Sequence, residues 1–228
     1  MNTVTADVTE TSEFSGQASM AAPAGLPTYG SRADSFHSRR HHRRRLLEGL
    51  AVCVARHGYA QTTIADIAAA AHVSKRTFYE HFADKQACMI ALYESASAAS
   101  RRQLGLDEAD AEALPWADQV ERAVRRYFSH LATRPLLMRA LFMEVLSLGP
   151  EGLSARRANL DALAEAIQHS AATQGVSLPA AEAAALIGML SEWILLAIEQ
   201  DRVATLPDDA PAVAAMLRAA ILGRRLGG

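Results

Sequence analysis

The chain has 228 residues, half of them apolar, and a formal net charge of −2. That is enough apolar material for a full core without disulfide staples, and a near-neutral balance gives the chain as a whole no attraction for polyanions. Two cysteines, Cys53 and Cys88, both inside apolar helical patterns, exclude a disulfide scaffold and fit buried free thiols in a reducing compartment.

The average charge hides a partition. Residues 1–35 carry one Lys or Arg against four Asp or Glu, residues 36–85 carry nine against four, and residues 86–228 carry thirteen against seventeen. Six of the eight histidines also fall between 36 and 85. A local basic patch in an otherwise acidic chain is the footprint of a phosphate-contacting module.

In chain order, residues 1–37 are rich in Ser, Thr, Ala, Gly and Pro, have no basic and apolar leader pattern, and are expected to be a disordered tail. The run RRHHRRR (39–45) follows. Arg39, Arg40, Arg43 and Arg44 form either an arm along the phosphate backbone or minor groove, or a solvated basic stretch. His37, His41 and His42 do not make a metal site, because adjacent helical positions cannot converge on one ion.

Leu47, Leu50 and Val54 then mark a first helix that ends before Gly58. Thr63 is an N-cap with Asp66 three residues on, and Ile64, Ile67, Ala68 and Ala71 give a two-turn helix its buried face. After His72 and Val73, Ser74 caps a second short helix in which Phe78 and Phe82 share the inner face. Lys75, Arg76, Tyr79 and His81 therefore point outward. Cations at a helix start are disfavoured by the helix dipole unless an anion lies opposite. Two short helices joined by a tight turn, the second presenting cations and hydroxyls, form a helix-turn-helix, and the missing anion is a row of DNA phosphates.

The stretch TTIADIAAAAHVSKRTFYEHFADKQACMIALYE resembles the DNA-binding region of TetR-type transcriptional regulators, with the pattern running from Thr63 to Lys85. The resemblance implies an all-α homodimer: a helix-turn-helix domain at 38–84, then a larger helical ligand-binding and dimerisation domain at 85–228. It also implies roles. Thr63 and Ser74 would cap near phosphates; Lys75, Arg76 and Thr77 would face bases or backbone; Tyr79 and His81 would touch backbone or a thymine methyl; and Lys85 would hold a phosphate. His72 departs from the pattern where Gly is common, and such a site wants positive φ. Ala65 departs too, offering no polar contact.

Five further helices follow, punctuated by Pro115, Pro135, Gly149, Gly175 and Pro211, with a mobile connection expected at 105–114. Trp116, Tyr127, Phe128, Met138, Phe142 and Trp193 are candidates for an apolar ligand pocket or for plain core. His130, Glu144 and His169 are the polar residues that could orient a ligand there. The stretch 183–198 is apolar on two faces and is interrupted by Ser191 and Glu192, so it reads as a doubly buried helix rather than a membrane span. Leu186, Leu190 and Ile194, with Met216 and Leu217, are the expected dimer interface.

No nucleophile, metalloprotease or phosphate-loop motif is present. The expectation is a cytoplasmic, non-enzymatic regulator without cofactor. It would be a repressor of a pseudo-palindromic operator, released by a small apolar or amphipathic effector; the rival is a helical protein-interaction module without DNA binding.

Overall fold

The computed structural model describes residues 32–105 and 114–223, of which the side chains are described from residue 37 onward. Every element among them is helical: α1 (Arg32–Gln61), α2 (Ile64–Ala70), α3 (Lys75–Tyr79), α4 (Lys85–Arg102), α5 (Trp116–Ala132), α6 (Pro135–Glu144), α7 (Gly149–Ala172), α8 (Ala180–Glu199) and α9 (Ala210–Leu222). Short 3-10 turns at Val145–Ser147 and Val203–Asp209 lead into α7 and α9. Of the tail expected to be disordered at 1–37, residues 32–37 are helical and 1–31 lie outside the described residues, as do 106–113 of the connection expected to be mobile at 105–114.

The first helix differs from its expected form at its start. It begins at Arg32, so the basic run 39–45 is helical and no extended arm starts there. At its other end Gly58 breaks the spiral with φ 81° and ψ 165°, and Thr62 closes the corner by donating to the Gly58 carbonyl at 2.8 Å. Leu46, Leu47, Leu50, Ala51 and Val54 turn inward as the spacing predicts.

Gly49 sits where α1 crosses α2. A Cβ there would lie 2.9 Å from the Ile67 carbonyl oxygen and 3.0 Å from the Ala71 nitrogen, so the crossing requires glycine. The turn between α2 and α3 passes through His72 at φ 50°, the left-handed conformation its position calls for.

In the larger half, α5 buries Ala123, Val124, Tyr127, Phe128 and Leu131, a stripe at helical spacing, against α9 and the 3-10 turn before it. The helix α7 packs on α4 and α8. Gly152 allows α7 to lie against the turn before it, since a Cβ would meet the Val145 carbonyl oxygen at 2.3 Å. That 3-10 turn interrupts what the sequence pattern predicts as one helix from 135 to 149. Three places join the halves: α1 packs on α6, Lys85 ties to the end of α1, and the Gln86 amide donates to the Leu148 carbonyl at 3.1 Å.

One helix, α8, is long and apolar enough to cross a membrane by length and composition alone. Its stripe of Ile187, Leu190, Ile194, Ala197 and Ile198 is buried within the subunit. The expected assignment of Leu190, Ile194 and Leu217 to a dimer interface is therefore corrected: each is at most 6% exposed in the single chain, where α7 and the 3-10 turn Val203–Asp209 pack on α8 and α5 packs on α9. Leu186 is half-buried, and of the five expected residues only Met216, 43% exposed, faces outward.

Candidate nucleic-acid interface

Two N-caps, the first of them reciprocal, set the geometry of the helix-turn-helix. The Thr63 hydroxyl accepts from the Asp66 backbone N–H at 3.2 Å, and the Asp66 carboxylate accepts from the Thr63 N–H at 2.9 Å and its hydroxyl at 2.6 Å. These hydrogen bonds hold the exposed Asp66 carboxyl below its ordinary range, against a small opposing effect of desolvation and with help from His57. Ser74 accepts from the Thr77 N–H at 3.0 Å, and its hydroxyl lies 3.0 Å from that of Thr77. With both side chains held by their own helix starts, their free capacity for a phosphate is small.

The Phe78 ring is fully buried, with Phe82 beside it at 5.7 Å between centroids. That anchorage leaves the opposite side of α3 in solvent. Lys75 and Arg76 are exposed, and Tyr79 is 58% exposed although large and aromatic. Arg76 is steadied by Glu80 through its Nε at 3.3 Å, which leaves the terminal nitrogens of its guanidinium to face outward. Thr77 is half-buried.

His81 is half-buried and packs edge-on against His42 at 6.3 Å. Burial first, then the charges of Arg39, His42 and Arg43, push its pKa below the ordinary imidazole value, with Glu80 opposing. Arg39, Arg40, Arg43, Glu80 and His81 line one shallow cleft where α1 meets the end of α3. The four arm candidates divide there: Arg43 stacks over Phe82 at 5.1 Å, Arg44 pairs with Glu48 at 3.8 Å, and Arg39 and Arg40 extend into solvent.

Lys85 differs from its expected placement. Its ammonium donates to the Tyr59 and Thr62 carbonyls at 2.9 and 2.8 Å and lies 4.2 Å from the Tyr59 ring centre. Two of its three N–H bonds therefore tie the α1–α2 corner to the start of α4, because those carbonyls end a helix and need donors. Asp84 accepts from the Ala87 N–H at 2.7 Å and fixes the same start.

The motif reading overlooked Arg45. Its guanidinium donates to the His72 carbonyl at 3.1 Å, bracing the strained turn of the helix-turn-helix. The available signal was its place one residue before Leu46, at the edge of the buried stripe of α1.

The pocket candidates scatter. Phe128 is fully buried core. Trp116 donates to the Ser170 hydroxyl at 3.0 Å, and Trp193 donates to Asp209 at 2.8 Å, which Arg202 also holds at 2.7 Å. Met138 and Phe142 border one small cavity between α4, α5 and α7. An apolar cavity of about 60 Å³ lies between α5, α7, α8 and α9, lined by Val120, Val124, Leu163, Ile167, Ile187 and Ile221 among others. Both cysteines are buried and unpaired, and burial pushes the Cys88 thiol up to about 12, so neither is a reactive thiolate.

Residues 46–92 match the family model described as bacterial regulatory proteins, tetR family. No curated protein matches the sequence of the chain. Among solved structures, the fatty acid degradation regulator FadR from Bacillus halodurans is 20% identical with a TM-score of 0.64, covering 77% of this chain and 93% of that one. FadR from Bacillus subtilis, solved in complex with stearoyl-CoA, is 19% identical with a TM-score of 0.63, covering 78% and 98%. A TetR family transcription regulator from Marinobacter aquaeolei VT8 is 18% identical with a TM-score of 0.58, covering 81% and 97%. At such identities the structural likeness establishes the shared fold.

Proposed function

We propose that the chain, whose residues 46–92 match the tetR family of bacterial regulatory proteins, is a DNA-binding transcriptional regulator, and that it acts as a dimeric repressor released from a two-fold operator by a small apolar or amphipathic effector. The observation that carries the reading is the outer side of α3. Lys75, Arg76 and Tyr79 are exposed together at a capped helix start, and Phe78 holds that helix rigidly from behind.

In this reading Arg76 and Lys75 read base edges in the major groove, while Tyr79, Arg39, Arg40 and His81 lie along phosphates. Bidentate contacts from Arg to guanine discriminate by about 1–3 kcal/mol, whereas phosphate contacts position without choosing sequence. Thr63, Ser74 and Thr77 serve mainly by fixing the helix starts, and their backbone N–H groups face the phosphates. Lys85 retains one N–H for a phosphate and otherwise sets the angle between reader and α4.

The dimer is placed on the outward faces of α8 and α9. Ala181, Ala185, Gly188 and Leu196 on α8, with Ala212, Ala215, Met216 and Ala219 on α9, are exposed at helical spacing. Small residues let helices approach closely, and a two-fold pairing would present two copies of α3 to half-sites about 34 Å apart. Effector binding in the carboxy-terminal domain would change that spacing through α4, the helix that both halves grip. The bound acyl thioester of the Bacillus subtilis neighbour supports an effector with an apolar chain.

Selection of DNA from a random pool tests the reading. The expected product is an inverted repeat, and Ala185→Glu should yield monomers in sedimentation and lose that preference. Enrichment of no sequence, or a dimer that persists in the Ala185→Glu protein, would count against it. Ala185 is exposed in the single chain, so the substitution does not strain the fold.

A further inference from the structure

Three cavities meet along α7. The apolar one between α5, α7, α8 and α9 has a single polar side chain in its lining, Ser170, and that hydroxyl already accepts the Trp116 N–H. Two smaller ones, about 20 Å³ each, lie next to it and share Tyr93, Tyr127, Phe142 and Asn159 between them. Leu163 and Leu190 line both the apolar cavity and one of the small ones, so the two adjoin at these side chains.

The small cavities differ chemically from the large one. Arg156, Ser191 and the Tyr127 phenol border them, and no Asp or Glu lines any of the three. Around the Tyr93 hydroxyl, Ser97 and Asn159 lower a pKa that burial raises, and Arg101 donates to the Asn159 side-chain oxygen. The Tyr127 hydroxyl is different. Tyr127 is 4% exposed, yet its hydroxyl has no hydrogen-bond partner among the described residues. Among the described residues no fully enclosed side-chain nitrogen or oxygen lacks a partner, so this oxygen opens onto the cavities it borders. Burial holds the phenol well above its ordinary pKa, which keeps it a neutral O–H donor.

An unused donor and a cation at one end of an apolar space describe a complement. We propose that the effector is a single-chain amphiphile with a small anionic head: the head accepts from Tyr127 and pairs with Arg156, and the chain passes Leu163 and Leu190 into the α5, α7, α8 and α9 cavity. This rests on the effector-responsive reading above and names the chemistry and the site. The cavities are smaller than any such chain, so binding must spread α7 from α5 and α8. The helix α7 begins beside Leu148, whose carbonyl accepts from Gln86 on α4, so that movement acts directly on the helix the reader hangs from.

Calorimetric titration of the full-length protein with decanoate, decanol and the coenzyme A thioester of decanoate, all below their micelle concentrations, tests the assignment. A charge-assisted hydrogen bond leads us to expect decanoate to bind at least about ten-fold tighter than decanol. Arg156→Gln should bring decanoate down to the decanol level, and Tyr127→Phe should weaken decanoate several-fold. Both variants should keep the decanol affinity, which shows that the fold and the tail site are intact. Equal binding of decanoate and decanol, equal losses for both ligands in the variants, or binding of the thioester alone would overturn the proposal. Operator release is measured separately. If decanoate binds as expected but leaves DNA bound, the effector reading fails and the site stands; if decanoate does not bind while DNA binding is intact, the site alone fails.

Discussion

The reader and the carboxy-terminal domain hold their helices by different means. In the reader α2 has seven residues and α3 five, lengths at which a free helix is marginal at best. Each of these, and α4 after them, starts at a side chain that accepts a backbone N–H: Thr63, Ser74 and Asp84. The helices α5 to α9 start without any such bond. They run from 10 to 24 residues and depend on buried stripes. Short capped helices fix the direction of a few side chains, which suits a surface that must meet a rigid duplex. Long uncapped helices held by apolar packing can slide and separate, which suits the ligand-admitting role proposed for that domain.

The contrast can be broken most forcefully at the one large anchor of the reader. Phe78→Ala removes a fully buried ring from a five-residue helix and should cost about 3–5 kcal/mol in denaturant unfolding, with DNA binding lost. A cost below 1 kcal/mol would mean that α3 is held otherwise. Next comes Gly49→Ala, where the added methyl meets α2 backbone and should destabilise by about 1–3 kcal/mol; an unchanged midpoint would show that the crossing has slack.

Caps sharpen the comparison at smaller scale. Thr63→Ala should cost about 1 kcal/mol, while Pro179→Ala, at a helix start with no side-chain bond, should stay within about 0.5 kcal/mol. Equal effects would erase the distinction drawn between the two regions. The smallest expected effect concerns His81. Its pKa is depressed in the free protein, chiefly by burial and then by Arg39 and His42, and an approaching phosphate would raise it. The complex then binds a proton that the free protein lacks, so affinity should rise modestly as pH falls from about 7.5 to 6. His81→Gln should flatten that trend, and an identical trend in the variant would remove His81 from the interface.

What the sequence revealed follows the same division. Caps, the Phe78 and Phe82 pair and the positive φ at His72 are local, so residue type and spacing were sufficient to place them. The tie of Lys85 to Tyr59 and Thr62 and the brace from Arg45 to His72 span 23 to 27 positions, and no local pattern announces them. In the other half, the helices were legible from Pro and Gly punctuation, but which face of α8 turns inward was not. Both of its sides are apolar, and only the packing of α7 and of the 3-10 turn Val203–Asp209 decides that Leu190 and Ile194 are core while Ala185 and Gly188 are left outside. Of the residues lining the small cavities along α7, Tyr127, Met138 and Phe142 were legible as pocket candidates, whereas Tyr93 and Asn159, brought in from α4 and α7, were not. Trp116 and Trp193 were expected to line a pocket; their indole N–H groups are instead bound to Ser170 and Asp209.

The central claim is that the exposed side of α3 and the cleft beside it are neutralised by the phosphates and bases of duplex DNA. The salt dependence of binding to a duplex of selected sequence tests it most directly. Affinity should fall steeply and linearly on a log–log plot as salt rises, and the double variant Arg39→Ala, Arg40→Ala should make the slope shallower by about two units. Affinity independent of salt, or no binding to any duplex in dilute buffer, would contradict the account.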